Sequence, residues 1–313
     1  MKCINKIWLA VLPAIIMGVA CTNIGFKKTK TGMEYKIIES GKAGESLKNG
    51  DIVKFDIRIT YKDSLLGETY GSVPGYTLVD SIGRPHDFTE LLKFMKVGDS
   101  LITIQLYDTL LALNPQGGPS FMKKGDKLKT TLKILGVYHT QDSAMADYQG
   151  EMTRSRVKQM AEVESYITKN NIKAEKLKSV FVEVKEKGTG PAADSGKIVS
   201  VKYTGYNFAG KFFDSNTDST KQIQKHPMDP FTFVSKQQGA ITGMLEGIAL
   251  FNKGGKGRLF VPSYAGYGQQ GNPPGILPNE HLIFDIEVVD VQDMPKQPAQ
   301  QMPPTGANPN VNK

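Results

Sequence analysis

Residues 201–215 read VKYTGYNFAGKFFDS: a strand, a turn around Ala209–Gly210, and a returning strand. Valine, tyrosine and phenylalanine suit a pleated, half-buried surface, and Gly breaks it where the chain reverses. Downstream, PFTFV (230–234) is another short strand. AITGMLEGIALF (240–251) then puts Ile241, Met244 and Ile248 on one side of a short helix. GRLFVP (257–262) and HLIFDIEVVDV (281–291) are strongly apolar strands. Between them runs VPSYAGYGQQGNPPGILP (261–278), too rich in Gly and Pro for regular structure yet carrying Tyr264, Tyr267, Ile276 and Leu277. An antiparallel sheet with one helix over a face is an α+β architecture.

The same plan occurs twice. YKIIESGKAGESLKNGDIV (35–53) lies over FVEVKEKGTGPAADSGKIV (181–199), FMKVGDSLITI (94–104) over FNKGGKGRLFV (251–261), and KLKTTLKILGVY (127–138) over HLIFDIEVVDV. Three blocks in one order imply two copies of a domain. Between the copies, residues 142 to about 170 read as a helix with Asp142 as its cap. Met145, Tyr148, Met152, Met160, Val163 and Ile167 fall on one stripe. A spacer, a brace on one domain and a dimer contact all fit that stripe.

The second copy resembles the FKBP family of peptidyl-prolyl cis–trans isomerases over roughly residues 177–293. The resemblance rests on YTG (203–205), FFDS (212–215), GMLEG (243–247), VPSYAGYG (261–268) and GILP (275–278). It implies two FKBP-like domains, each an antiparallel twisted sheet wrapped on a short helix, joined by a helical linker. It also implies an apolar pocket with the 261–278 loop as its wall. Phe213 and Phe284 grip a proline ring, Met244 forms the floor where well-known members carry tryptophan, and the Ile241 N–H receives a substrate carbonyl. Asp214 lies near the twisting imide and bonds the Tyr203 hydroxyl, while Phe231, Tyr267 and Ile276 complete the lining. Two departures stand out: Gly266 interrupts the usual YAYG, and no arginine follows FDS to pair with Asp214.

The implied activity is Xaa–Pro isomerisation, with no cofactor and no metal, acting on proline-containing polypeptides. A non-catalytic chaperone or interaction protein that uses the pocket only for binding is the alternative, and an assembly scaffold a third. The first copy keeps the strands and loses the site: LLGETYGSVPG (65–75) has no Phe-Asp pair, and LYDTLLALNPQGGPSF (106–121) lacks YG and GILP. Catalysis is therefore expected only in the second copy.

Lys2, Lys6 and the apolar run IWLAVLPAIIMGVA read as an export signal, shorter than the ~20 residues of a bilayer span. Cys21 follows Gly18, Val19 and Ala20 and resembles the lipid-acceptor cysteine of a bacterial lipobox. The expected order is a signal peptide (1–20), a lipidated linker (21–31), a degenerate FKBP-like domain (32–139), a helical linker (140–176), the isomerase domain (177–293) and a disordered tail (294–313). A lipid-anchored protein of the bacterial cell envelope, facing the periplasm, follows from that order. The formal charge is +8, but no nucleic-acid-binding motif accompanies it.

Overall fold

The computed structural model describes residues 25–62, 64–113 and 121–294. The expected signal peptide, Cys21 and the tail beyond residue 294 lie outside them. Seven strands form the first sheet: β1 (Lys27–Lys28), β2 (Glu34–Ile38), β3 (Ile52–Tyr61), β4 (Ser64–Glu68), β5 (Gly75–Leu78), β6 (Ser100–Leu106) and β7 (Lys127–Tyr138). The second holds β8 (Glu175–Lys176), β9 (Phe181–Glu186), β10 (Ile198–Asn207), β11 (Phe212–Ser215), β12 (Phe231–Val234), β13 (Lys256–Val261) and β14 (Leu282–Gln292). Helix α1 (Tyr107–Leu113) follows β6, α2 (Gln141–Lys169) joins the sheets, and α3 (Thr242–Gly247) lies against β13.

The two sheets have one topology. The order β1-β2-β6-β7-β3-β4, with β5 also on β3, is repeated as β8-β9-β13-β14-β10-β11 with β12 on β10. All the pairings are antiparallel. Two of the irregularities repeat as well. The β3–β7 register shifts between Lys54 and Phe55, and β10–β14 between Ser200 and Val201. The β3–β4 and β10–β11 hairpins shift at Ile59/Thr60 and Gly205/Tyr206. Those four positions coincide when the repeats are laid over each other, so the duplication reaches the bulges that set each sheet's bend. Both sheets start earlier than the expected boundaries, at Lys27 and Glu175, because β1 and β8 are two-residue strands with no alternation to read.

On β10, Val199 and Val201 point into the core while Ser200 and Lys202 point away, the period of two that a strand imposes. Strand β14 breaks this alternation: Leu282, Ile283 and Phe284 are all buried. The reason is α2. Its Met160, Val163 and Ile167 cover the back of the second sheet, packing with Phe181, Phe260 and Ile283, while Leu282 and Phe284 fill the opposite core. The front half of α2 is fastened to the first sheet by polar contacts. Lys54 Nζ lies 2.7 Å from Asp147 and 2.6 Å from Glu151, the Tyr76 hydroxyl donates to Asp147, and the Tyr76 and Tyr148 rings meet edge to face.

Helix α2 therefore packs on both domains, and its stripe is not uniform: Met145 is exposed. Its N-cap is Thr140, whose hydroxyl accepts from the Ser143 N–H, while Asp142 sits in the first turn and favours the helix dipole there. The domains also touch directly. Lys158 Nζ donates to the Gly71 carbonyl at 2.9 Å, and Gln269 Nε2, on the loop between β13 and β14, donates to the Val73 carbonyl at 2.7 Å.

Candidate active site

Strands β10, β11, β12 and β14 each bring one aromatic side chain to a hollow of about 460 Å³: Tyr203, Phe213, Phe231 and Phe284. Pairing fixes their relation, since Tyr203 lies opposite Ile286 and Gly205 lies opposite both Asp214 and Phe284. A Cβ on Gly205 would stand 2.6 Å from the Phe213 ring and 3.2 Å from Phe284. The missing side chain is what lets those two rings meet, 5.6 Å between centroids and 79° apart. Tyr203 packs edge-on to Phe231 and to Phe284, each at 6.1 Å. Edge-to-face packing holds such rings at fixed angles, so the walls are stiff.

Met244, in the first turn of α3, and Ile241, the residue that caps the helix, close the far side together with Gly239 and Ala240. The Ile241 backbone N–H has no acceptor among the described residues, and Ile241 offers no side-chain cap. A donor at a helix start beside an apolar hollow is a ready partner for a carbonyl. Tyr267 forms part of the rim. Ile276 does not line the hollow. It is 2% exposed and sits in the core cluster with Phe213, because mutual backbone bonds between Asn272 and Ile276 tuck its side chain beneath the wall.

Asp214 is the charged group at the mouth. Its Oδ2 accepts from the Tyr203 hydroxyl and its Oδ1 from the Ser215 N–H at 2.8 Å. His226 stands on its other side, with Nε2 2.7 Å from Oδ1. This partner is invisible to motif reading, because His226 belongs to the irregular QKHPMDP segment between β11 and β12. Lys221, the other basic side chain near FFDS, instead faces Asp218 at 3.6 Å and covers the Phe212 ring. Burial, then the bond to Asp214 and its charge, push the Tyr203 phenol well above its ordinary range. Burial, then the Asp214 charge, also raise Tyr267. Both remain protonated phenols, and Tyr203 donates to Asp214.

Strand register shows what the first copy has at the same places. Ile57 takes the position of Tyr203, Gly67 that of Asp214, Gly75 that of Phe231 and Thr130 that of Phe284. A larger hollow, about 720 Å³, lies on the first domain among Lys27, Lys36, Lys42 and Lys96. Glu39 and Asp99 line it beside the lysines, and Tyr35 and Phe94 are its aromatic residues, in place of the four that strands bring to the hollow of the second domain.

Residues 190–289 match the family described as FKBP-type peptidyl-prolyl cis-trans isomerase. Over 102 residues the chain is 43% identical to FK506-binding protein 4 of Dictyostelium discoideum, covering 33% of this chain and 25% of that protein. Over 159 residues it is 31% identical to the FKBP-type peptidyl-prolyl cis-trans isomerase FkpA of Escherichia coli (strain K12), covering 51% of this chain and 54% of that one. The crystal structure of FkpA from Escherichia coli aligns at 30% identity over 50% of this chain and 69% of that chain, with a TM-score of 0.37. The chain spans about a quarter to about half the length of these curated relatives. The motifs of the second copy and the family match fall on the same sheet, so it is the second domain, residues 190–289, that matches the FKBP-type peptidyl-prolyl cis–trans isomerase family.

Proposed function

We propose that the hollow of the second domain catalyses rotation about Xaa–Pro bonds in other polypeptides. The observation that carries this is one arrangement: the Phe213–Phe284 walls, the Met244 floor and Ile241, whose N–H has no acceptor among the described residues, line a single hollow. Peptide C–N rotation has a barrier of roughly 18–20 kcal/mol because twisting removes amide resonance. In the twisted state the carbonyl regains ketone character and gains less from water than the planar amide does. A dry aromatic hollow that holds the prolyl ring between Phe213 and Phe284 therefore favours the twisted form over the flat one. The Ile241 N–H fixes a substrate carbonyl, and the Tyr203–Asp214 pair lies beside the imide. No covalent step is needed, and each ~1.4 kcal/mol of preference is a factor of ten in rate.

The basic start, apolar run and Cys21 support export and lipid anchoring, with clients among other exported proteins that are still folding. Mass spectrometry of the mature N-terminus tests this part: a diacylglycerol-modified Cys21 supports it, and an unmodified, uncleaved chain rejects it. The first domain, without counterparts of Asp214 and Phe284, contributes binding or support.

A protease-coupled assay with an Xaa–Pro peptide tests the activity. The full chain accelerates isomerisation, and Phe213→Ala or Asp214→Val abolishes the acceleration while circular dichroism is unchanged. The second reading, binding without catalysis, is favoured by the flexible Met244 floor; peptide affinity with no rate above background would establish it.

A further inference from the structure

The His226 imidazole is wedged between two acceptors. Nε2 lies 2.7 Å from Asp214 Oδ1, and Nδ1 lies 2.7 Å from the Pro227 carbonyl oxygen. A neutral imidazole carries one N–H and serves only one of these; the imidazolium serves both. The geometry is that of the charged ring. The bond to Asp214, then the bond to Pro227, hold the imidazole above its ordinary 6.5.

A neutral ring has a different partner within reach. If Nδ1 keeps its proton on the Pro227 carbonyl, Nε2 presents a lone pair to the Asp214 carboxylate and repels it. The Gln222 amide, a donor, lies 3.3 Å from that same Nε2, and it is itself held by the Ser215 carbonyl at 2.8 Å. Protonation thus decides whether the ring serves both acceptors as a cation or, when neutral, gives up one of them.

We propose that His226 is the positioning residue for Asp214 and that its protonation sets the working state of the hollow. This rests on the isomerase reading above. With the imidazolium in place, the carboxylate is clamped between the Tyr203 phenol and a cation, and its charge is cancelled at the mouth of an apolar space. With the ring neutral, Asp214 keeps Tyr203 and Ser215 but loses its counter-charge and draws water to the rim. The other ionisable groups of the neighbourhood are Tyr203 from β10, Tyr267 from the loop before β14, and Asp218, Lys221, Lys225 and Asp229 from the segment carrying His226. Of these, Lys221 faces Asp218 and Lys225 donates to the Ser219 carbonyl, so neither replaces His226 at Asp214.

The test is the pH profile of kcat/KM for Xaa–Pro isomerisation by the full chain, with His226→Arg and His226→Gln alongside. The natural protein is expected to lose roughly tenfold as pH rises through the imidazole's titration, the rate equivalent of one partly exposed charge-assisted hydrogen bond. His226→Arg, which keeps its charge, is expected to hold the acid-side value across the range. His226→Gln is expected to sit at the alkaline value throughout. A flat profile for the natural protein, or a glutamine variant as active as the natural protein at low pH, overturns the proposal. Nitrogen-15 NMR of the His226 ring separates this from failure of the isomerase reading. Absence of catalysis at every pH rejects that reading, while a ring titrating at its ordinary value, unmoved by Asp214→Asn, rejects the His226 clamp whatever the activity.

Discussion

Phe55 on β3 lies opposite Gly75 on β5, and its ring occupies the space a Gly75 side chain would need: a Cβ there would fall 2.6 Å from two of the ring carbons. The matching pair in the second domain is Val201 and Phe231. The large and small partners have exchanged strands, which moves an aromatic ring from the edge strand of the hollow to the central one. Phe55 also meets Phe88 edge to face at 5.3 Å, and Phe88 opens the short helix that precedes β6 as α3 precedes β13. The first domain is thus plugged where the second is hollow. Gly75→Ala is expected to destabilise the first domain by about 1–3 kcal/mol through overpacking. Combined with Phe55→Val the penalty largely disappears, a non-additivity of at least ~0.5 kcal/mol in a double-mutant cycle. Urea unfolding of the four proteins measures it; strictly additive effects would contradict the plug.

Gly205→Ala is expected to damage the hollow more than the fold. The new methyl meets Phe213 at 2.6 Å, so the ring must move, and its partner Phe284 with it. The strain costs about 1–3 kcal/mol of stability. Isomerase activity is expected to fall at least tenfold, because both gripping surfaces shift. Comparing thermal midpoint with kcat/KM checks this; an active variant would mean that the two rings do not form the grip.

Asp147 ties α2 to the first sheet and makes that contact acid-sensitive. Burial alone would raise its carboxyl. The Lys54 ammonium and the Tyr76 and Tyr138 hydroxyls outweigh that effect and lower it from 3.8 to about 2. A depressed folded value means that the stabilisation is complete above the unfolded value of 3.8 and is lost as pH falls toward about 2. Asp147→Asn is therefore expected to cost roughly 1–2 kcal/mol at neutral pH, with Glu151 still holding Lys54. The gap between variant and natural protein closes as the pH approaches about 2. Thermal midpoints across that window measure it, and a gap independent of pH would contradict the assignment.

Much of this was legible in the sequence because strands and turns are local. The alternation of β10, the turn at Ala209–Gly210 and the repeat of three blocks are properties of neighbouring residues, and they carry the α+β fold. The aromatic lining was legible through motifs, since FFDS and LIFDI each fix one ring on a strand. Contacts that depend on irregular chain were not. His226 reaches Asp214 across a loop with no periodicity, and Ile276 turns into the core because of a backbone pairing with Asn272 that no composition signals. The burial of Ile283 is not legible in the sequence for another reason. A residue on the outer face of a sheet is buried only if something covers it, and α2 does so from a distant part of the chain.

The central claim is that the hollow prefers a twisted prolyl bond, and exchange NMR on an Xaa–Pro peptide measures that preference most directly. Uncatalysed exchange takes tens to hundreds of seconds. With a small molar fraction of the full chain, cis and trans resonances are expected to exchange cross-peaks within a sub-second mixing time, and the peaks vanish with Phe213→Ala. Peptide resonances that shift on binding while exchange stays at the uncatalysed rate would contradict the account.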